Sequence, residues 1–178
     1  MRQWVLSFPF PLRFLFASRP VIMGKVLGIV YRTLATLLIK KAGYTHTTAK
    51  TGAVTLIQRF GGALNLNVHF HMLFLDGVYV DDARSGARFR WVKAPTSAEL
   101  TRLTHTIAHR LSRFLERQGL LVRDDESAYL SIGTESDDPM MSLLGHSVTS
   151  ATAPALLYLP HPWGRTASPP GPARDARC

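Results

Sequence analysis

The sequence predicts an α+β fold: an antiparallel sheet, two long helices on one of its faces, and a disordered Pro/Ala-rich C-terminal tail. Three observations predict it. Two stretches, 20–42 and 97–118, repeat apolar residues at helical spacing. Short β-rich runs punctuated by glycine lie between them. After Thr149 the composition changes, and residues 151–178 hold six Pro and six Ala with little periodicity. The division is therefore a domain at 1–149 and a tail at 150–178. A length of 178 residues suits one domain with a sizeable core, at 46% hydrophobic and 19% charged. It falls well short of the ~250 residues of an eight-fold barrel, which excludes barrel metallohydrolases.

Residues 3–16 alternate aromatics, Leu and Pro, and Pro9 and Pro11 predict a short strand followed by a turn. Ser18 and Pro20 open the first helix, whose apolar stripe runs through positions 22, 26, 29, 30, 34, 37 and 38. Lys40 and Lys41 suit its negative end, and Gly43 suits the left-handed position beyond it. Strands follow at 53–60, 64–75, 78–80 and 88–92, with a turn at Gly61–Gly62 and a hairpin at Asp76–Gly77. Thr96 and Glu99 form a capping box for the second helix, with Leu100, Leu103, Ile107, Leu111 and Phe114 on its core face. An acidic connection spans 124–138.

Charge is distributed unevenly. Residues 1–75 hold nine Lys or Arg and no Asp or Glu, which accounts for the whole net charge of +9. A long acid-free stretch suits a polyanionic partner, because cations near phosphates release counterions. Arg13, Lys40, Lys41, Lys50 and Arg59 are the contacts this predicts, with Asn65 and Asn67 beside them. Residues 21–39 are apolar, but Lys25 and Arg32 interrupt them, so no membrane span is expected. Arg13 and the prolines spoil any signal-peptide pattern at the start. The single cysteine, Cys178, excludes an intramolecular disulfide and suits a cytoplasmic protein.

The strand 64–75 carries the chemistry. Its even positions Leu64, Leu66, Val68, Phe70, Met72 and Phe74 form an apolar face. Its odd positions Asn65, Asn67, His69 and His71 form a polar one. Burying four such groups unpaired is costly. His69 and His71 project to the same side with Cα atoms ~6.5–7 Å apart, and two neutral imidazoles can hold two corners of one divalent ion. If Gly61–Leu64 make the turn, Gln58 pairs with residue 67 and joins the same face as a third ligand. His105 and His109 are spaced i, i+4 but lie opposite the apolar face of their helix, toward solvent.

The run Gln58-Arg59-Phe60-Gly61-Gly62-Ala63-Leu64-Asn65-Leu66-Asn67-Val68-His69-Phe70-His71-Met72-Leu73-Phe74-Leu75-Asp76-Gly77-Val78-Tyr79 closely resembles the metal-motif region of rolling-circle insertion-sequence transposases. These are the two-tyrosine members of the HUH (His-hydrophobic-His) nuclease superfamily, of the insertion-sequence-ninety-one type. Residues 2–13 and the stretch from Ile132 to His146 also resemble that family. The resemblance implies an HUH-nuclease-like fold and metal-dependent cleavage and rejoining of single-stranded DNA at transposon ends, with no small-molecule substrate. It implies that His69 and His71 hold Mg²⁺ or Mn²⁺, with a third polar ligand that the match does not fix. It also implies a tyrosine nucleophile that forms a 5′-phosphotyrosine link. The family's paired tyrosines lie on a helix after the motif. Here Tyr79, Tyr129 and Tyr158 follow the motif singly, Tyr129 being the one stand-in inside the family-like region. The family's cysteine-rich zinc segment has no counterpart either. The expectation is an internal piece of a transposase, either an incomplete nuclease domain or a non-catalytic remnant that binds single-stranded DNA.

Overall fold

The computed structural model describes residues 1–62, 65–82, 86–123, 128–130 and 155–159. In chain order these form β1 (Arg2–Ser7), α1 (Phe10–Ser18), α2 (Pro20–Lys41), β2 (Ala49–Lys50), β3 (Ala53–Phe60), β4 (Leu66–Phe74), β5 (Gly77–Asp82), β6 (Gly86–Trp91), α3 (Ser97–Arg117), β7 (Leu121–Arg123), β8 (Ala128–Leu130) and β9 (Ala155–Leu159). Helices and antiparallel strands mix as the sequence predicts. The strands divide into a four-stranded sheet in the order β3-β4-β1-β9, a three-stranded sheet β2-β5-β6, and the pair β7-β8.

The split into two sheets corrects the single sheet expected from the strand runs. β4 pairs with β3 on one edge and with β1 on the other. Both of its edges are taken, so Asp76–Gly77 cannot be a hairpin returning onto it. The chain passes instead into the second sheet, where Gly77 pairs with Trp91. The Arg2 guanidinium fastens this crossing, with Nε 2.6 Å from Asp76 Oδ1 and a hydrogen bond to the Val92 carbonyl.

The N-terminal segment also differs from expectation. Pro9 is the N-cap of α1 and Pro11 its second residue. No intrahelical N–H is needed at either position, so the prolines start a helix rather than forbid one. Ser18 caps nothing at the start of α2; its hydroxyl donates back to Phe14 and Leu15. α2 otherwise begins at Pro20 and ends in Lys40 and Lys41 with Gly43 at φ 83°, as predicted. α3 carries the predicted capping box, with Thr96 accepting from the Glu99 N–H and Glu99 accepting from the Thr96 N–H.

The core lies between the four-stranded sheet and its helices. Val68, Phe70, Met72 and Phe74 are completely buried, as are Trp4 and Val30. Phe8 meets Phe16 and Phe70 edge-on at 4.9 and 5.0 Å, and Tyr31 stacks on Phe74. α2 is long and apolar enough to cross a membrane by length and composition, but here Val26, Val30, Leu34 and Leu38 are buried in this core.

Residues 155–159, assigned by composition to the tail, form β9 and pair with β1 from Gln3↔Leu159 to Ser7↔Ala155. The short run Ala-Leu-Leu-Tyr-Leu has the β-compatible composition that the flanking prolines obscure. The rest of the tail, the 131–138 part of the acidic connection and the stretch to His146 lie outside the described residues.

Candidate functional site

Alternation along β4 divides its side chains as its sequence predicts. The even positions are the buried core, and Asn67, His69, His71 and Leu73 point to the other face of the sheet. Neighbouring strands complete that face. His69 lies between Ser7 of β1 and Gln58 of β3, and His71 lies between Val5 and Leu56. Gln58 is thus directly opposite His69, two residues from the expected register. One residue of the difference comes from the turn, where Phe60 pairs with Leu66, and the other from a bulge between Gln58 and Phe60; an even total shift preserves the face.

The two imidazoles stand with ring centroids 4.7 Å apart and planes at 59°. That separation is within the span of one ion touching both. His69 is 8% exposed, and its Nδ1 is 2.6 Å from the Asn67 carbonyl. A carbonyl only accepts, so Nδ1 carries the proton and a neutral ring presents its lone pair at Nε2. His71 Nδ1 meets the Gln3 amide at 3.1 Å, and its Nε2 is buried with no hydrogen-bond partner among the described residues. Burial, and secondarily the neighbouring His69, hold the His71 pKa below the usual histidine range. Both effects favour the neutral, ligating form. A buried ring nitrogen without a partner is a costly feature in a sheet; an ion held there would remove the cost.

The donor set fits a divalent ion at two corners. Among the described residues no third His, Cys, Asp or Glu stands close enough to complete a cluster. Gln58 is near His69 by register, but it is exposed and its Nε2 donates to the Phe60 carbonyl at 3.0 Å. Asn67 contributes its carbonyl to His69. Asn65 lies at the turn, where its carbonyl accepts from the Gly61 N–H at 2.9 Å. A Cβ at Gly61 would sit 2.5 Å from Asn65 Oδ1, so a larger residue there would displace the Asn65 side chain.

The five cations predicted to contact DNA do not converge on the histidines. Arg13 is on α1, with Nε donating to the Phe8 carbonyl at 2.5 Å. Lys40 and Lys41 end α2, and Lys41 pairs with Glu99 of α3. These three belong to the helical layer, across the sheet from the histidines. Lys50 is on β2 in the second sheet and donates to the His46 carbonyl. Arg59 alone is on β3, exposed beside the bulge. Tyr129 is in β8, in register with Val122. His105 and His109 are exposed on α3, as their helical position predicts.

Two residues of this face were not singled out from the sequence, Gln3 and Ser7. The signal was present in the alternation of β1, where Trp4, Leu6 and Phe8 are buried and Gln3, Val5 and Ser7 are less so. It became meaningful only once β1 was seen to pair with β4.

The family model described as "Putative transposase" matches residues 52–159, more than half of the chain. The matched span runs from the start of β3 to the end of β9, and so includes both histidines, Gln58, Tyr129 and Tyr158. Neither a curated protein nor a solved structure matches the chain.

Proposed function

The chain belongs to the transposase family, and from that premise we propose that it is the metal-binding part of an HUH-type, two-tyrosine rolling-circle transposase of the insertion-sequence-ninety-one kind, acting on single-stranded DNA in the cytoplasm. The observation that carries this reading is the pair of imidazoles on β4. One Nε2 is left as a lone pair by its neighbour's carbonyl, and the other is buried without a partner among the described residues.

In this reading His69 and His71 hold Mg²⁺ or Mn²⁺, with the Gln58 amide as third ligand. When bound, the ion supplies Lewis-acid polarisation of the scissile phosphate. The protein's own groups prepare the site. The Asn67 carbonyl fixes the His69 tautomer, burial keeps His71 neutral, and Gln3 orients the His71 ring. A tyrosine oxygen then bonds to phosphorus while the bond to the 3′ oxygen breaks, leaving a 5′-phosphotyrosine and a free 3′-hydroxyl.

The choice of single strands is supported by the second sheet. Tyr79, Phe89 and Trp91 form a ladder with ring centroids 5.0 Å apart at each step. Trp91 is 76% exposed and Tyr79 44%, and Arg88 and Arg90 are exposed on the same ribbon. Exposed rings can stack unpaired bases, which a duplex does not offer, and the arginines alternate with Phe89 and Trp91 onto the ribbon's other face.

A second reading, a non-catalytic remnant that binds single-stranded DNA, is favoured by the missing third His, Cys, Asp or Glu among the described residues. Incubation with Mn²⁺ and single-stranded transposon-end DNA separates the two. The nuclease reading predicts a covalent protein–DNA band that is lost in His71→Ala, and loss of the band in Tyr129→Phe would identify that nucleophile. Binding of single strands with no such band in wild type is the outcome for the remnant.

A further inference from the structure

The strongest unassigned feature lies on the other side of the sheet. α2 and α3 run antiparallel there: Lys41 pairs with Glu99, and Thr33 accepts a hydrogen bond from Arg110 at 3.0 Å. Between them runs a groove that Arg110 divides into two clefts. One cleft of about 400 Å³ is lined by Lys40, Arg102 and Arg110, and a second of about 390 Å³ by Arg32, Arg110, Arg113 and Arg117. Arg110 is common to both. A third depression carries the groove on past Arg32 to Lys25.

Its walls are cationic. Lys25, Arg32, Lys40, Arg102, Arg113 and Arg117 are all exposed, and among the described residues none of the six forms an ion pair. Among the described residues Glu99 is the only acid lining it, and Lys41 neutralises that carboxylate. Leaving so many like charges along two packed helices is unfavourable unless a polyanion joins them.

The groove differs from the aromatic ribbon in having no row of stacked rings; among the described residues its one exposed ring is the His109 imidazole in the second cleft. Threonines, Ile29, Leu37 and Leu103 make up the rest of its floor, and Phe114 at its far end is buried. It can therefore grip a phosphate backbone but offers unpaired bases a single imidazole rather than a stacking platform. Helices of 22 and 21 residues are about 33 Å long, close to the ~34–36 Å of one turn of B-DNA. We propose that the α2–α3 groove binds the phosphate backbone of duplex DNA, on the face of the molecule opposite His69 and His71. Such a site would hold a double-stranded flank while the sheet face handles a single strand.

The test is fluorescence anisotropy with a labelled duplex of about 20 bp, and a single strand of the same length, over a range of salt. Two double variants are used, Arg32→Gln with Arg113→Gln and Lys40→Gln with Arg102→Gln, each checked for an unchanged melting temperature. The expected result is a duplex affinity lower on the order of tenfold or more, and a salt slope smaller by about two, one for each phosphate contact removed. Single-strand affinity stays within about twofold, since the single strand is held on the aromatic ribbon and not in this groove. His69→Ala leaves duplex binding unchanged, which separates this groove from the metal reading. Unchanged duplex affinity and slope in both folded double variants would overturn the proposal. So would an equal loss of single-strand binding, which would make the single strand the occupant.

Discussion

The two faces of β4 are built from alternate residues of one nine-residue strand, yet they obey different rules. On one face Val68, Phe70, Met72 and Phe74 exclude water completely, and their aromatic contacts tie β4 to Phe8, just before α1, and to α2. On the other, His69 and His71 are largely removed from water, and among the described residues the His71 Nε2 lacks the partner that burial ordinarily demands. The first face is made for stability and the second carries a cost, which teaches where selection has acted for something other than folding. Buried polar groups left unsatisfied in an otherwise well-packed sheet mark a site.

Breaking the apolar face has the largest expected effect. Phe70→Ala removes a fully buried ring packed on Phe8 and is predicted to cost about 3–5 kcal/mol, measured by urea unfolding. The matching change one residue away, His71→Leu, replaces the unpartnered Nε2 by carbon and gives up the Nδ1 contact with the half-buried Gln3 amide. It is predicted to leave stability within about 1 kcal/mol of wild type while abolishing Mn²⁺ binding. A loss comparable to that of Phe70→Ala would mean that His71 is a structural residue and would erase the contrast between the faces.

A smaller change sharpens the polar face. Gln3→Leu removes the amide that orients His71. It is predicted to weaken Mn²⁺ binding about 10- to 100-fold, read by isothermal calorimetry, with no change in fold by circular dichroism. Unchanged affinity would show that Gln3 only fills space.

The smallest effect belongs to the helical side. Hydrogen bonds from Lys41 and then from the Thr96 backbone hold the Glu99 carboxyl down at about 2, against an ordinary value of 4.5. Because the folded pKa is depressed, this stabilisation is present above pH 4.5 and is lost as pH falls toward 2. Glu99→Gln is predicted to flatten that part of the acid-unfolding profile and to lower stability at neutral pH by about 1 kcal/mol. An unaltered profile would remove Glu99 from the account of how α2 and α3 are joined.

Much of this was legible from local pattern. The capping box at Thr96 and Glu99, the left-handed Gly43 and the alternation from Leu66 to Phe74 are each decided by residues within a turn or a strand of one another. What was not legible depends on pairings distant in sequence. Asp76–Gly77 has hairpin chemistry, but β1 had already claimed the edge of β4 that the hairpin needed. Pro9 and Pro11 break helices in general, yet at a helix start they do no harm. Gln3 acquires meaning only through a pairing with β4 some 70 residues away, and β9 was hidden among prolines. The five cations share a sign but not a surface, because net charge in sequence carries no information about which side of a sheet a residue will occupy.

The central claim is that the two imidazoles of β4 hold one metal ion together. Pulsed electron paramagnetic resonance of Mn²⁺ bound to the full chain tests it directly, since nitrogen ligands leave a ¹⁴N modulation that water does not. The account predicts ¹⁴N couplings from two imidazoles in wild type, one in His69→Ala or His71→Ala, and none in the double variant. A Mn²⁺ signal without nitrogen coupling in wild type, or one unaltered by both substitutions, would contradict it.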